Sequence, residues 1–315
     1  MTKAIALAAL LALAATAAPA QVDIPFAPLQ DTALKDPDNP TKKFRVDLAK
    51  VERAYPLSRA DRMKLTPDNV KTLTQEQVDQ VYGRLTAGPM PGGPYAGDLF
   101  FARGEDGRLF SRGEQERELK LRLEEILGGV AGRLAGAKLE IAEHLGRRLW
   151  KGKYFDRERR ELWNFIDDLR PLRRIIDEPA TLKYAYLPRD GVLGRVGATE
   201  RVWLLFPAKL YCGQSLLDGR RESVIIDYLY NDEIPGWRKS PDGLAGRGGL
   251  RIRDEIRMVR PGFYLGRAYA NKMFLLNFTL YDAATATRDE ADFRADAPIA
   301  ETCWPGEQGR RASTR

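Results

Sequence analysis

Residues 252–281, IRDEIRMVRPGFYLGRAYANKMFLLNFTLY, hold three short alternating segments separated by two turn pairs. Pro261-Gly262 and Asn271-Lys272 read as two-residue hairpin turns. With that spacing Met258 faces Leu265, Ile256 faces Arg267 and Asp254 faces Tyr269. Across the second turn Tyr269 faces Phe274, Arg267 faces Leu276, Leu265 faces Phe278 and Phe263 faces Leu280. Directly opposed side chains share a face of the sheet. One face therefore carries Ile252, Ile256, Met258, Phe263, Leu265, Phe274, Leu276, Phe278 and Leu280. The other carries Arg251, Arg253, Glu255, Arg257, Asn277 and Thr279. Three polar residues, Asp254, Arg267 and Tyr269, fall on the apolar face. A lone buried charge costs several kcal/mol, so Asp254 and Arg267 are expected to pair. Two readings stand: a buried lock that fixes register, or the polar end of a ligand cavity.

Outward from this run the two-residue period continues. Residues 95–102, 148–155, 162–166, 181–187, 201–211 and 222–230 read as further strands, about nine in all. Mostly joined in order, they predict an α+β fold, an antiparallel meander β-barrel or strongly curved sheet. Between residues 112 and 147 the period changes to three and four (Leu119, Leu123, Ile126, Val130, Leu134), which predicts a helical insertion packed on the barrel. In VIIDYLY, Asp227 shares a side with Ile225 and Leu229, and both sides of that strand are hydrophobic. Residues 231–249, NDEIPGWRKSPDGLAGRGG, are too long for a tight turn. They read either as a lid at a barrel mouth, with Trp237 as its apolar contact, or as an ordered Ω-loop. Thr74 and Gln77 form a capping box that starts a helix ending by Gly83 or Gly88. A second start at Thr66-Pro67-Asp68 precedes it, and residues 21–60, rich in Pro and Asp, read as an extended arm.

The first twenty residues carry Lys3, an apolar run and Ala18-Pro19-Ala20, the pattern of a signal peptide cut before Gln21. The organisation expected is therefore a signal peptide (1–20), an N-terminal arm and helices (21–94), the barrel domain (95–282) and a polar tail (283–315). Export places the protein in the periplasm or outside the cell. There an oxidising milieu favours joining Cys212 to Cys303, the only two cysteines.

Composition excludes several chemistries. One His and two Cys rule out a His-rich metal site and a zinc ribbon, so no metal or other cofactor is expected. No P-loop, dinucleotide fingerprint or nucleophile elbow is present. The chain has 51 Lys and Arg against 44 Asp and Glu, but the excess is scattered among acids, which argues against nucleic acid. A net charge of +7 suits an anionic membrane surface as a partner.

An exported meander barrel with inward Arg and Asp resembles the lipocalin (calycin) group. Gly93-Pro94-Tyr95 resembles that group's Gly-x-Trp, with Tyr for Trp, and Trp150-Lys151-Gly152 carries the same elements reversed. Ile226-Asp227-Tyr228 resembles its Thr-Asp-Tyr, with Ile for Thr, and Arg267 stands for its late-strand Arg. Residues 206–281 also look like exported bacterial proteins to which no activity is assigned. The expectation is a binding protein for a hydrophobic or amphipathic small molecule such as a lipid, sterol or acyl chain. Asp254, Arg267, Tyr269, Asp227 and Trp237 are its candidate ligand-binding residues. The alternative is an enzyme acting on such a molecule through Asp254, Asp227 and Tyr269 as acid–base groups.

Overall fold

The computed structural model describes residues 22–28, 35–36, 39–43, 46–101, 146–170, 183–188 and 199–303. The expected signal peptide, most of the helical insertion and the end of the tail lie outside these residues.

A hairpin of β1 (Lys35–Asp36) and β2 (Asn39–Lys43) precedes α1 (Leu48–Ala54) and α2 (Arg59–Lys64). These helices replace the extended arm expected over residues 21–60. Each has fewer than two full turns and shows no period in sequence. Their caps are explicit, with Asp47 on the Lys50 amide and a Ser58–Asp61 capping box. At Thr66 only a 3₁₀ turn, Asn69–Thr72, forms. The Thr74–Gln77 box does start a helix, α3 (Gln75–Gly83).

All nine expected strands are present. They are β3 (Gly93–Phe100), β4 (Trp150–Asp156), β5 (Glu161–Ile166), β6 (Tyr184–Pro188), β7 (Thr199–Gln214), β8 (Glu222–Asp227), β9 (Ile252–Arg260), β10 (Phe263–Ala270) and β11 (Met273–Tyr281). Pairing runs β5-β4-β3-β11-β10-β9-β8-β7, and β7 returns to β5 through Leu162↔Ala208 and Asn164↔Leu205. Eight antiparallel strands thus close a meander barrel, and β6 extends one edge of β7. Closure removes the unpaired edges that an open sheet would leave.

The register of β9–β11 differs from the two-residue-turn expectation. Phe263 pairs with Arg260 but Tyr264 pairs with Met258, so a bulge absorbs Val259. Tyr269 pairs with Phe274 but Ala268 pairs with Leu276, so a second bulge absorbs Leu275. Each extra residue reverses the parity of the partner strand. The two shifts cancel between β9 and β11: Ile256, Met258, Phe278 and Leu280 all face inward as expected. β10 is inverted, and so is Phe274, which lies on the turn side of the second bulge and packs outward against Tyr269 and Arg267. Tyr264, Gly266 and Ala268 point in, while Phe263, Leu265, Arg267 and Tyr269 point out.

The outer face of β9–β11 is itself buried, beneath residues 22–26 and α3. Val22, Ile24, Leu65, Val70, Val78, Val81 and Tyr82 pack there on Val259, Phe263 and Leu265. Many polar groups in this layer are paired, although Glu255 Oε2 and Asn277 Oδ1 have no hydrogen-bond partner among the described residues. Arg257, fully buried, donates to Ser223 Oγ at 3.0 Å and to the carbonyls of Tyr82, Asp218 and Arg221 at 2.9–3.2 Å.

One end of the barrel is plugged. Tyr95, Phe155, Met258, Tyr264 and Leu280 fill its interior. After α4 (Ala283–Arg288) and α5 (Glu290–Arg294), residues 299–303 run across that end. Glu301 accepts from the Gly88 amide at 2.7 Å, Thr302 Oγ1 accepts from the Met90 amide at 2.8 Å, and Cys303 is bonded to Cys212.

Candidate functional site

The opposite end of the barrel is hollow. A cavity of about 300 Å³ lies between the inward faces of the strands and the 231–250 segment. Leu99, Ile166, Phe206, Leu244, Leu250, Ile252, Ala268 and Leu276 form apolar walls, and Trp150 and Phe278 meet edge to face at 5.6 Å. Only four lining residues carry hydrogen-bonding or charged tips other than the indole of Trp150: Lys153, Asn164, Tyr228 and Asp254. They form one cluster where the hollow meets the packed interior.

Local backbone explains how a lysine comes to point inward. β4 pairs Trp150 with Ile166 but Gly152 with Phe165, so a bulge lies at Lys151. It allows Trp150 and Lys153 both to face the interior. Gly152 has φ +132°, and a Cβ there would stand 2.0 Å from the Tyr95 carbonyl oxygen, so glycine is required. Gly266 has a different task. The Phe278 ring lies over it, and a Cβ would approach that ring to 2.2 Å.

Lys153 is 2% exposed. Its Nζ donates to Asn164 Oδ1 at 2.8 Å, to Tyr228 Oη at 2.6 Å and to Asp254 Oδ2 at 2.9 Å. The rings of Trp150, Tyr228 and Phe278 surround it with centroids 5.3–5.4 Å away. Aromatic faces attract a desolvated ammonium. Asn164 is saturated. Its Oδ1 also accepts from Trp150 Nε1 at 2.9 Å, and its Nδ2 donates to the Phe206 carbonyl at 2.8 Å and to Tyr228 Oη at 2.9 Å. The Tyr228 hydroxyl lies 3.3 Å from Asp254 Oδ2. Burial pulls the Lys153 ammonium below its usual range, against the opposing pull of Asp254. Burial first, then the Asp254 charge, drives the Tyr228 hydroxyl well above the range of a free phenol.

Of the five residues expected to hold ligand, only Asp254 lines the cavity, and its partner is Lys153 instead of Arg267. The β10 inversion sends Arg267 and Tyr269 to the outer layer. There Arg267 Nε donates to Tyr269 Oη at 2.9 Å and its guanidinium pairs with Asp79 of α3. Asp227 also faces outward, accepting from Tyr211 Oη at 2.5 Å, while its neighbours Ile226 and Tyr228 face in. Trp237 sits half-buried in the 231–249 loop and does not line the cavity.

That loop is ordered and still contributes to the cavity through Leu244 and Ala245. Asp242 pins it, accepting from the Phe206 amide at 2.7 Å and the Arg238 amide at 3.0 Å. Asn231 Nδ2 donates to the Asp242 carbonyl at 2.9 Å. Burial pushes the Asp242 carboxyl up to about 6, opposed by those two amides and by Arg238. Among the described residues one set of Cys and acidic side chains lies within metal-ligand reach, Cys212, Glu222 and Cys303, and its two sulfurs are bonded to each other.

Lys153, Asn164 and Tyr228 are the cluster residues that sequence reading missed. Asn164 carries a signal, since it alternates with Leu162 and Ile166 at an apolar parity in ELWNFI. Lys153 is masked by Lys151 and by the bulge between them. Comparison with models of protein families, with curated proteins and with solved structures finds no match.

Proposed function

We propose that this chain is an exported binding protein that holds a hydrophobic or amphipathic small molecule inside a lipocalin-like barrel. The observation that carries this reading is the cavity. It is about 300 Å³, walled by aliphatic and aromatic side chains, and has a single buried polar cluster at its floor. Ligand pockets combine an apolar lining with a few placed polar groups in this way. The plugged end supports the reading too, because only one end of the barrel retains space. A protein needing stability alone has no use for a hollow lined by a buried lysine, since filling it with apolar side chains is neutral or stabilising.

The test is native mass spectrometry and solvent extraction of protein purified from an exporting host. A stoichiometric amphipath is expected, and it should be displaced by Nile red with a rise in fluorescence. Protein that carries no extractable molecule and does not take up Nile red overturns the reading. Chemical conversion of a supplied lipid moves the reading to the enzyme, with Lys153, Tyr228 and Asp254 as the proton-transfer groups.

A further inference from the structure

We infer that the cavity selects ligands whose polar head is a neutral hydroxyl and rejects carboxylates of the same chain length. This rests on the binding reading above and adds the class of head group. Donors and acceptors at the cavity floor decide which head group fits. All three hydrogens of the Lys153 ammonium are committed, to Asn164, Tyr228 and Asp254. Both hydrogens of the Asn164 amide are committed, to the Phe206 carbonyl and to Tyr228 Oη. The indole N–H of Trp150 is committed to Asn164 Oδ1. Tyr228 accepts two hydrogen bonds, and its own hydrogen is committed within the cluster, with Asp254 Oδ2 and Asn164 Oδ1 both at 3.3 Å. No donor remains for an anion.

One acceptor does remain. Asp254 is 5% exposed, lines the cavity, and accepts from Lys153 and Tyr228 at Oδ2. Among the described residues its Oδ1 has no partner. A carboxylate oxygen at the cavity floor with no protein donor can accept a hydrogen bond from a hydroxyl supplied by the ligand. A ligand carboxylate would instead bring a second negative charge against Asp254 with nothing to neutralise it. Lys153 already balances Asp254, so a ligand ammonium would also be buried without a counterion. The floor is charge-neutral and acceptor-rich, and the rest of the wall offers only apolar contact. A long-chain alcohol or a hydroxylated polycyclic ligand fits both conditions.

The experiment is displacement of Nile red from the full mature protein at pH 8 by decanol and by decanoate. Decanol should bind about tenfold or more tightly than decanoate, the range of one hydrogen bond to a charged acceptor. Equal or tighter binding of decanoate overturns the inference and leaves the binding reading in place. Failure of both ligands to displace bound Nile red overturns the inference, whereas folded protein that carries no extractable molecule and takes up no Nile red overturns the binding reading and the inference with it. Asp254→Asn removes the negative charge and leaves the Lys153 charge unbalanced, so preference should reverse towards decanoate. Retained preference for decanol in folded Asp254→Asn overturns the inference. If that variant does not fold by circular dichroism, the double variant Lys153→Met with Asp254→Leu takes its place. There the discrimination between the two heads should shrink by at least tenfold, and unchanged discrimination overturns the inference.

Discussion

At one end of the barrel Tyr95, Phe155, Met258, Tyr264 and Leu280 interdigitate, and residues 299–303 seal them off through Cys303. At the other end Trp150, Phe206, Ile252 and Phe278 stand around an empty volume with Lys153 and Asp254 at its base. The same eight strands run through both ends. The difference lies in what the flanking segments supply. Five residues of the C-terminal segment add a disulfide and an apolar side chain, Ile299, to the plugged end. The 231–250 segment instead arches over the hollow end, held by polar pins at Asn231 and Asp242 that leave the space beneath it unfilled. A packed half and a hollow half are thus separated along the barrel axis.

Removing the plug's tether should have the largest effect. The Cys212–Cys303 bond closes a loop with a sequence separation of 91 residues. In the chain-entropy model its loss as Cys212→Ser with Cys303→Ser costs about 4–5 kcal/mol. Urea unfolding should show this loss, while Nile red binding in dilute buffer persists because the tether is remote from the cavity. Loss of binding by a folded double variant would break the separation of the two ends.

At the hollow end Lys153→Met should cost about 3–5 kcal/mol, because Asp254 is left buried and unpaired. Lys153→Met with Asp254→Leu should return close to wild-type stability. The same urea titrations check both. A double variant as unstable as the single one would mean that the floor cluster holds the barrel together and is no separate functional feature.

Asp242 gives the pinned loop a pH dependence. Its carboxyl titrates near 3.8 when free and near 6 when folded. Between those values the folded chain keeps a proton that the unfolded chain has lost. Stability from this group is therefore greatest below pH 3.8 and falls as pH rises to 6, by about 2–3 kcal/mol. Asp242→Asn should flatten that part of the profile relative to wild type, measured by thermal unfolding between pH 4 and 7. Identical profiles for the two proteins would remove the loop's acid dependence. The smallest effect belongs to the outer wall. Asp227→Asn should weaken one hydrogen bond from Tyr211, lowering stability by about 1 kcal/mol, with ligand affinity unchanged.

Strand number and order were legible because alternation marks residues 95–101, 150–166, 199–227 and 252–281, whereas closure was not, since a barrel and a strongly curved sheet share that alternation. What failed was one parity. In FYLGRAYA both alternating sets are apolar enough to be buried, so nothing in β10 opposes the inversion that its two flanking bulges impose. Asp254 was identified because it interrupts an apolar set on a strand of the correct parity. Lys153 escaped because the Gly152 bulge breaks the count that would have exposed it. The charged set Glu255, Arg257 and Asn277 was assigned to the right face, yet it is buried. The layer that buries it comes from residues 22–26, which carry no regular period, and from α3, whose start was legible but not the face of the barrel it covers.

The seam between β3 and β11 sets the order of events when the chain folds. Every other junction in the barrel joins strands that are neighbours, or near neighbours, in sequence, whereas here Ala96 pairs with Tyr281 and Phe100 with Asn277. Contacts between such distant residues form late, after the nearer hairpins have shortened the distance between the ends. Until then β3 and β11 each present an unsatisfied edge that a second chain can add to. Refolding yield should therefore fall as protein concentration rises, and substitutions along this seam should act mainly by speeding unfolding, with little change in the rate of folding.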